Sequence, residues 1–92
     1  LAGVSLGDYG WTDLYEAFAA QALSVMRHIG IDPAKVNPLG GAIALGHPLG
    51  ATGAIRTATL MAAMQRDPGL RYGMISMCIG TGMGAAGIFE RV

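Results

Sequence analysis

The sequence has 92 residues, 52% of them hydrophobic and only 13% charged, with six basic groups cancelling six acidic ones. A charged fraction near half the ~25% usual for soluble domains leaves too little polar surface to coat the chain, and predicts a large apolar face covered by other polypeptide. The balanced charge, without a basic run or aromatic–basic interleaving, excludes the footprint of a nucleic-acid binder; the lone Cys78 excludes an internal disulfide or a paired-cysteine zinc site, and no apolar stretch reaches the ~18–20 residues of a membrane span.

A chain of this size holds one domain. Its first ten residues, with Gly3, Gly7 and Gly10, show little periodicity and read as loop or frayed strand, without the basic start of a signal peptide. A helix is predicted from Asp13, which with Glu16 three residues on makes a capping box at the end where the dipole favours carboxylates. Leu14, Ala17, Phe18, Ala22, Val25, Met26 and Ile29 recur at spacings of three and four as one apolar stripe, and Gly30 is a left-handed stop. Asp32 and Pro33 then cap and open a brief helical turn, while Asn37-Pro38 turns the backbone away from helix.

Gly40 to Gly50, GGAIALGHPLG, follows neither the helical nor the strand period and reads as ordered loop, with a few extended residues in AIAL. Capped by Thr52 or Gly50, a second helix is predicted to Arg66, packing through Ala54, Ile55, Ala58, Met61 and Ala62. Leu60 and Met64 widen that stripe enough to predict burial on most sides. Tyr72 to Cys78 reads as a strand buried on both faces. After the break at Gly80, Gly82 and Gly84, a final strand from Ala85 to Arg91 is expected to return antiparallel.

Two glycine clusters each carry one reactive side chain. GGAIALGHPLGATG holds His47 but lacks the Lys-Ser/Thr of a P-loop, and its Gly46, Gly50 and Gly53 miss the G-x-G-x-x-G spacing, so phosphate cradling is not expected. What its glycines supply is positive-φ backbone and close approach. His47 precedes a helix whose free N–H groups favour a neutral imidazole, able to accept a proton or donate one N–H; a buried histidine bonded to a backbone carbonyl is the alternative. His28, beside Arg27 and Gly30, reads as an ordinary basic group at a helix C-terminus. In CIGTGMG, Cys78 ends a buried strand where a side chain and free N–H groups can face a pocket together, or else it is packing alone. His47 and Cys78 together compose a candidate base and nucleophile.

GGAIALGHPLGATGAIR resembles the histidine loop of the thiolases (acetyl-CoA acetyltransferases and 3-ketoacyl-CoA thiolases). CIGTGMG is similar to that family's C-terminal cysteine motif, and EAFAAQAL to most of its Asn-Glu-Ala-Phe helix start, all in the family's order from Trp11 to Val92. The resemblance implies an α/β fold: residues 1–92 would be the C-terminal part of a layered αβαβα architecture, with two helices and a terminal two-stranded hairpin, and the nucleophile-bearing N-terminal half would lie elsewhere. It also reassigns roles, because the acylated cysteine of thiolases has no counterpart here. His47 would activate that nucleophile and later donate a hydrogen bond to the thioester oxygen. Cys78 would exchange a proton with the substrate α-carbon, and the Gly80 N–H would belong to an oxyanion hole. Ala17 and Phe18 would line the pantetheine channel.

One position departs from the family. The asparagine that holds a water in the first oxyanion hole is replaced by Tyr15, whose hydroxyl could donate directly or whose ring could fill the water site. By resemblance the whole protein is an acyltransferase acting on acyl-CoA and coenzyme A, with a thioester substrate, no separate cofactor and no metal, and is a dimer or tetramer; the isolated segment is expected to be inactive. A non-catalytic acyl-CoA-binding homologue and an inactive structural fragment are the alternatives. The ending ERV is not the Ser-Lys-Leu peroxisomal address, so a cytoplasmic location is the default expectation.

Overall fold

The apolar run from Tyr72 forms the middle strand of a three-stranded sheet, flanked by a segment expected to begin a helix. In the computed structural model, which describes residues 3–92, a 3-10 turn at Leu6–Asp8 leads into strand β1 (Tyr9–Leu14) and helix α1 (Ala19–Ile29). A second 3-10 turn (Pro33–Lys35), the single-turn helix α2 (Ala42–Leu45), helix α3 (Thr52–Arg66) and strands β2 (Tyr72–Gly80) and β3 (Met83–Glu90) complete the order. The sheet runs β1-β2-β3. β1 lies parallel to β2, with Asp13 opposite Ile75 and Leu14 opposite Ser76, and β3 returns antiparallel, with Cys78 opposite Gly84.

The antiparallel hairpin is as expected, but β3 begins at Met83, so Gly84 lies in the strand and not in the break. Thr81 and Gly82 form the turn, both with positive φ, 51° and 78°, which matches the twist of a tight hairpin. Gly30 likewise ends α1 in the left-handed region, its N–H donating to the Met26 carbonyl. The Asp32 carboxylate caps the Pro33 turn by accepting from the Ala34 N–H.

Three expectations need correction. Asp13 and Glu16 do not cap a helix: Asp13 lies buried inside β1, and α1 starts six residues later, at Ala19, after Phe18 and with no side-chain cap. Strand pairing with β2 outweighs the local helical pattern there. AIAL is helical, not extended; Glu16 accepts a hydrogen bond from the Ile43 N–H, 3.2 Å away, and so caps α2 from a distant part of the chain. The packing face of α3 is Thr52, Arg56, Leu60, Ala63 and Met64, whereas Ile55 and Met61 are 40% and 50% exposed. Hydropathy points the other way because it assigns Thr52 and Arg56 to solvent, where a buried partner changes the sign.

Leu60, Met64 and Ile75 form the core between α3 and the sheet, with Trp11, Leu70 and Phe89 packed around them. Gly73 permits that approach, since a Cβ there would fall 2.5 Å from a Leu60 methyl. The third strand and the one-turn α2 are additions to the two helices and hairpin expected. The surplus of apolar residues emerges at the surface: Phe18, Ile43, Leu45, Leu49, Ile79 and Met83 are each more than half exposed. Among the described residues no helix is long and apolar enough to cross a membrane.

Candidate active site

β1 and its continuation build one side of the site. The Tyr15 N–H donates to the Ser76 carbonyl at 3.1 Å, extending the ladder one residue beyond Leu14 and fixing where the Tyr15 ring emerges. On the other edge of β1, Asn37 closes both backbone groups of Leu14: its Oδ1 accepts from the N–H and its Nδ2 donates to the carbonyl, each at 2.8 Å. Asn37 takes positive φ to do so.

The histidine loop is held at both ends by α3. At its start, the Arg56 guanidinium donates to the Gly40 carbonyl at 3.1 Å and lies 3.3 Å from the Asp13 carboxylate, with both side chains almost wholly buried. Burial pushes the Asp13 carboxyl above its ordinary range, and the neighbouring Arg56 only partly opposes this. Gly41 follows, where any Cβ would collide with the Glu16 carboxylate and the Asn37 amide; the carboxylate that caps α2 therefore requires glycine beneath it.

At the loop's other end, His47 Nδ1 lies 2.5 Å from Thr52 Oγ1, and that hydroxyl donates to the Pro48 carbonyl at 3.0 Å. The Tyr15 ring packs against the imidazole with centroids 4.8 Å apart and planes inclined by 55°. His47 is otherwise exposed. Its partner is thus a hydroxyl, not the backbone carbonyl of the alternative reading.

Cys78 is a free, exposed cysteine. The expectation that it ends a buried strand is corrected: burial along β2 fades after Ile75 as the strand runs out toward the hairpin. The pairing with β3 shifts register between Cys78 and Gly80, an irregularity of the kind that re-aims side chains beside functional sites. Cys78 lines a cleft of about 270 Å³ with Leu14, Tyr15, Gln21, Val25 and Met83. Gly80 closes the strand with φ of 98° and open space where a Cβ would be.

The structure thus brings Tyr15 against His47 and, through the cleft, beside Cys78. Ala17 and Phe18 are exposed on the approach to α1, Phe18 by 74%, and lie outside that cleft's lining. His28 lines a separate depression on the outer face of α1. Sequence reasoning overlooked the site roles of Asp13, Glu16, Thr52 and Arg56. The signal available was the four-residue spacing of Thr52 and Arg56 on one helix face, which marks a polar stripe in need of partners.

A three-stranded sheet, parallel on one side and hairpin-closed on the other, is covered by one long helix, with His47 against Tyr15 and Tyr15 in a cleft that Cys78 also lines; this defines an α/β domain with a polar site at one end of its sheet. The comparisons agree. The family model for the thiolase C-terminal domain matches residues 1–91. The 3-ketoacyl-CoA thiolase of Bacillus subtilis is 57% identical over 90 residues, covering 98% of this chain and 23% of that protein. Peroxisomal 3-ketoacyl-CoA thiolase B of Rattus norvegicus is 55% identical over 89 residues, 97% of this chain and 21% of the rat protein. The solved peroxisomal 3-ketoacyl-CoA thiolase of Saccharomyces cerevisiae, a five-layered α-β-α-β-α structure built from two core domains of identical topology, superposes with a TM-score of 0.88 at 53% identity, over 98% of this chain and 25% of its own.

The chain belongs to the thiolase family and corresponds to its C-terminal domain. It spans about a fifth to a quarter of the length of these relatives.

Proposed function

We propose that the polypeptide carrying this segment is a 3-ketoacyl-CoA thiolase, which transfers an acyl group to or from coenzyme A while a carbon–carbon bond beside the thioester breaks or forms. The observation that carries this reading is the convergence on Tyr15: its ring touches His47, and it shares a cleft with Cys78. In this proposal His47 takes the proton of a cysteine nucleophile supplied by the N-terminal half, and then donates a hydrogen bond to the thioester oxygen. Cys78 exchanges a proton with the substrate α-carbon. The Gly80 N–H stabilises an oxyanion, and Ala17 and Phe18 receive the pantetheine arm.

The chemistry explains the residue types. Bond making or breaking beside a thioester passes through enolate and tetrahedral oxyanions, and each fixed donor aimed at that charge is worth roughly 10²–10³ in rate. A positioned thiol or imidazole adds typically 10²–10⁴ by proton transfer. The reaction needs no separate cofactor, because the thioester itself activates the α-carbon.

The test is to assay residues 1–92 alone with acetoacetyl-CoA and coenzyme A, and again with a polypeptide supplying the N-terminal half. The first assay is expected to be silent and the second active. Activity in the first would overturn the incompleteness of the site. Silence in the second, with both pieces folded and associated, would overturn the thiolase reading.

A further inference from the structure

We infer that Thr52 sets the tautomer of His47, holding the proton on Nδ1 so that the Nε2 lone pair is free to take another. The hydroxyl of Thr52 has one proton and two heavy-atom partners: the Pro48 carbonyl at 3.0 Å and His47 Nδ1 at 2.5 Å. A carbonyl oxygen can only accept, whereas a ring nitrogen does either. Once the hydroxyl proton is committed to Pro48, Nδ1 must be the donor.

The commitment to Pro48 has support from the rest of the helix. The other two threonines of α3 make the same bond four residues back, Thr57 to the Gly53 carbonyl at 2.8 Å and Thr59 to the Ile55 carbonyl at 2.9 Å. This is the geometry a helical threonine adopts without any histidine nearby. Thr52 is also buried, 4% exposed, and lies one turn from Arg56, whose bond to Gly40 ties the same helix to the start of the loop. The Tyr15 ring against the imidazole opposes ring rotation. A neutral histidine so held presents Nε2 as acceptor.

The catalytic consequence rests on the proposed function; the tautomer itself does not. A base fixed in the wrong tautomer can lose up to about 10⁴ in rate, so Thr52 is a positioning residue whose loss is visible in kcat. The experiment uses the full-length polypeptide with ¹⁵N-labelled histidine. Long-range proton–nitrogen correlation spectra identify the tautomer, with His47 assigned by difference against His47→Gln.

The expected result is Nδ1–H for neutral His47 in the unmodified protein and in Thr52→Ser, with loss of that preference in Thr52→Val. Thr52→Val should lower kcat for thiolysis about tenfold or more with little change in KM for acyl-CoA, and Thr52→Ser should restore it. Nε2–H in the unmodified protein would overturn the inference whether or not the variants fold, as would a Thr52→Val protein that retains both Nδ1–H and full kcat. An Nδ1–H spectrum from a protein with no thiolase activity would support the tautomer assignment and overturn the proposed function.

Discussion

The Asp13 carboxylate on β1 and the Arg56 guanidinium on α3 meet 3.3 Å apart with side-chain exposures of 1% and 2%, and the same guanidinium holds the Gly40 carbonyl. One buried pair therefore links the sheet, the long helix and the first residue of the histidine loop. Removing one partner strands a charge in the core. Arg56→Met is expected to lower the full-length protein's unfolding free energy by about 3–5 kcal/mol, read by urea denaturation. Replacing both, as Asp13→Leu with Arg56→Met, should recover most of that stability but not the reaction rate, because Gly40 remains untethered. Full activity in the stable double variant would show that the pair serves stability alone.

The pair also gives stability a pH signature opposite to that of an ordinary surface carboxylate. Burial raises the Asp13 carboxyl above its reference value of 3.8, so the folded protein binds a proton where the unfolded chain has released one. The stabilisation this gives is complete below the unfolded value and is lost as pH rises through the folded one. Relative to Asp13→Asn, which cannot titrate, the unmodified protein should lose stability as pH climbs from about 3.8. Urea midpoints across that range check this, and a difference independent of pH would contradict it.

By the resemblance of its Glu-Ala-Phe stretch to the thiolase helix start, Tyr15 is expected to replace the family's oxyanion-hole asparagine, and its ring rests on His47. We expect the full-length protein to bind acyl-CoA but turn over slowly, with Tyr15→Asn raising kcat by up to ~10², the scale of one oxyanion-hole donor. Tyr15→Phe keeps the ring contact and removes the hydroxyl. If the ring merely fills the water site, Phe leaves the slow rate unchanged; a large fall with Phe and no gain with Asn would identify the hydroxyl as the donor.

Gly41 tests the link between Glu16 and the loop. Its backbone is extended, with φ of −111°, so alanine is tolerable locally and its penalty is purely steric. A Cβ there would approach the Asn37 amide nitrogen to 2.7 Å and collide with the Glu16 carboxylate. Gly41→Ala should cost about 1–3 kcal/mol, the range for overpacking, and should slow thiolysis, because Glu16 must release the Ile43 N–H. Thermal unfolding and steady-state rates, measured together, separate the two effects.

Much of the site was legible because its signals are local. The glycine-flanked His47, the Cys78 hairpin and the Glu-Ala-Phe stretch are short patterns with fixed spacing, and they mark the family without reference to any contact. The supporting residues were not legible. Asp13 next to Glu16 carries the grammar of a helix cap, and Thr52 that of another; only the partners, Arg56 for the first and His47 for the second, give them different work. Arg56 itself closed a motif whose reason lay in the Gly40 carbonyl.

By itself the sequence determined the left-handed stop at Gly30, the Asp32-Pro33 turn, the extent of α3 to Arg66 and the positive-φ hairpin after Cys78, because each depends on the φ/ψ range or periodicity of a few neighbouring residues. Tertiary structure alone decided that Asp13 lies in a strand, that AIAL coils into a turn under Glu16, and which face of α3 is buried. Those outcomes depend on whether a charge or a backbone group finds its partner in a distant element, and burial of such a group is favourable only when it does.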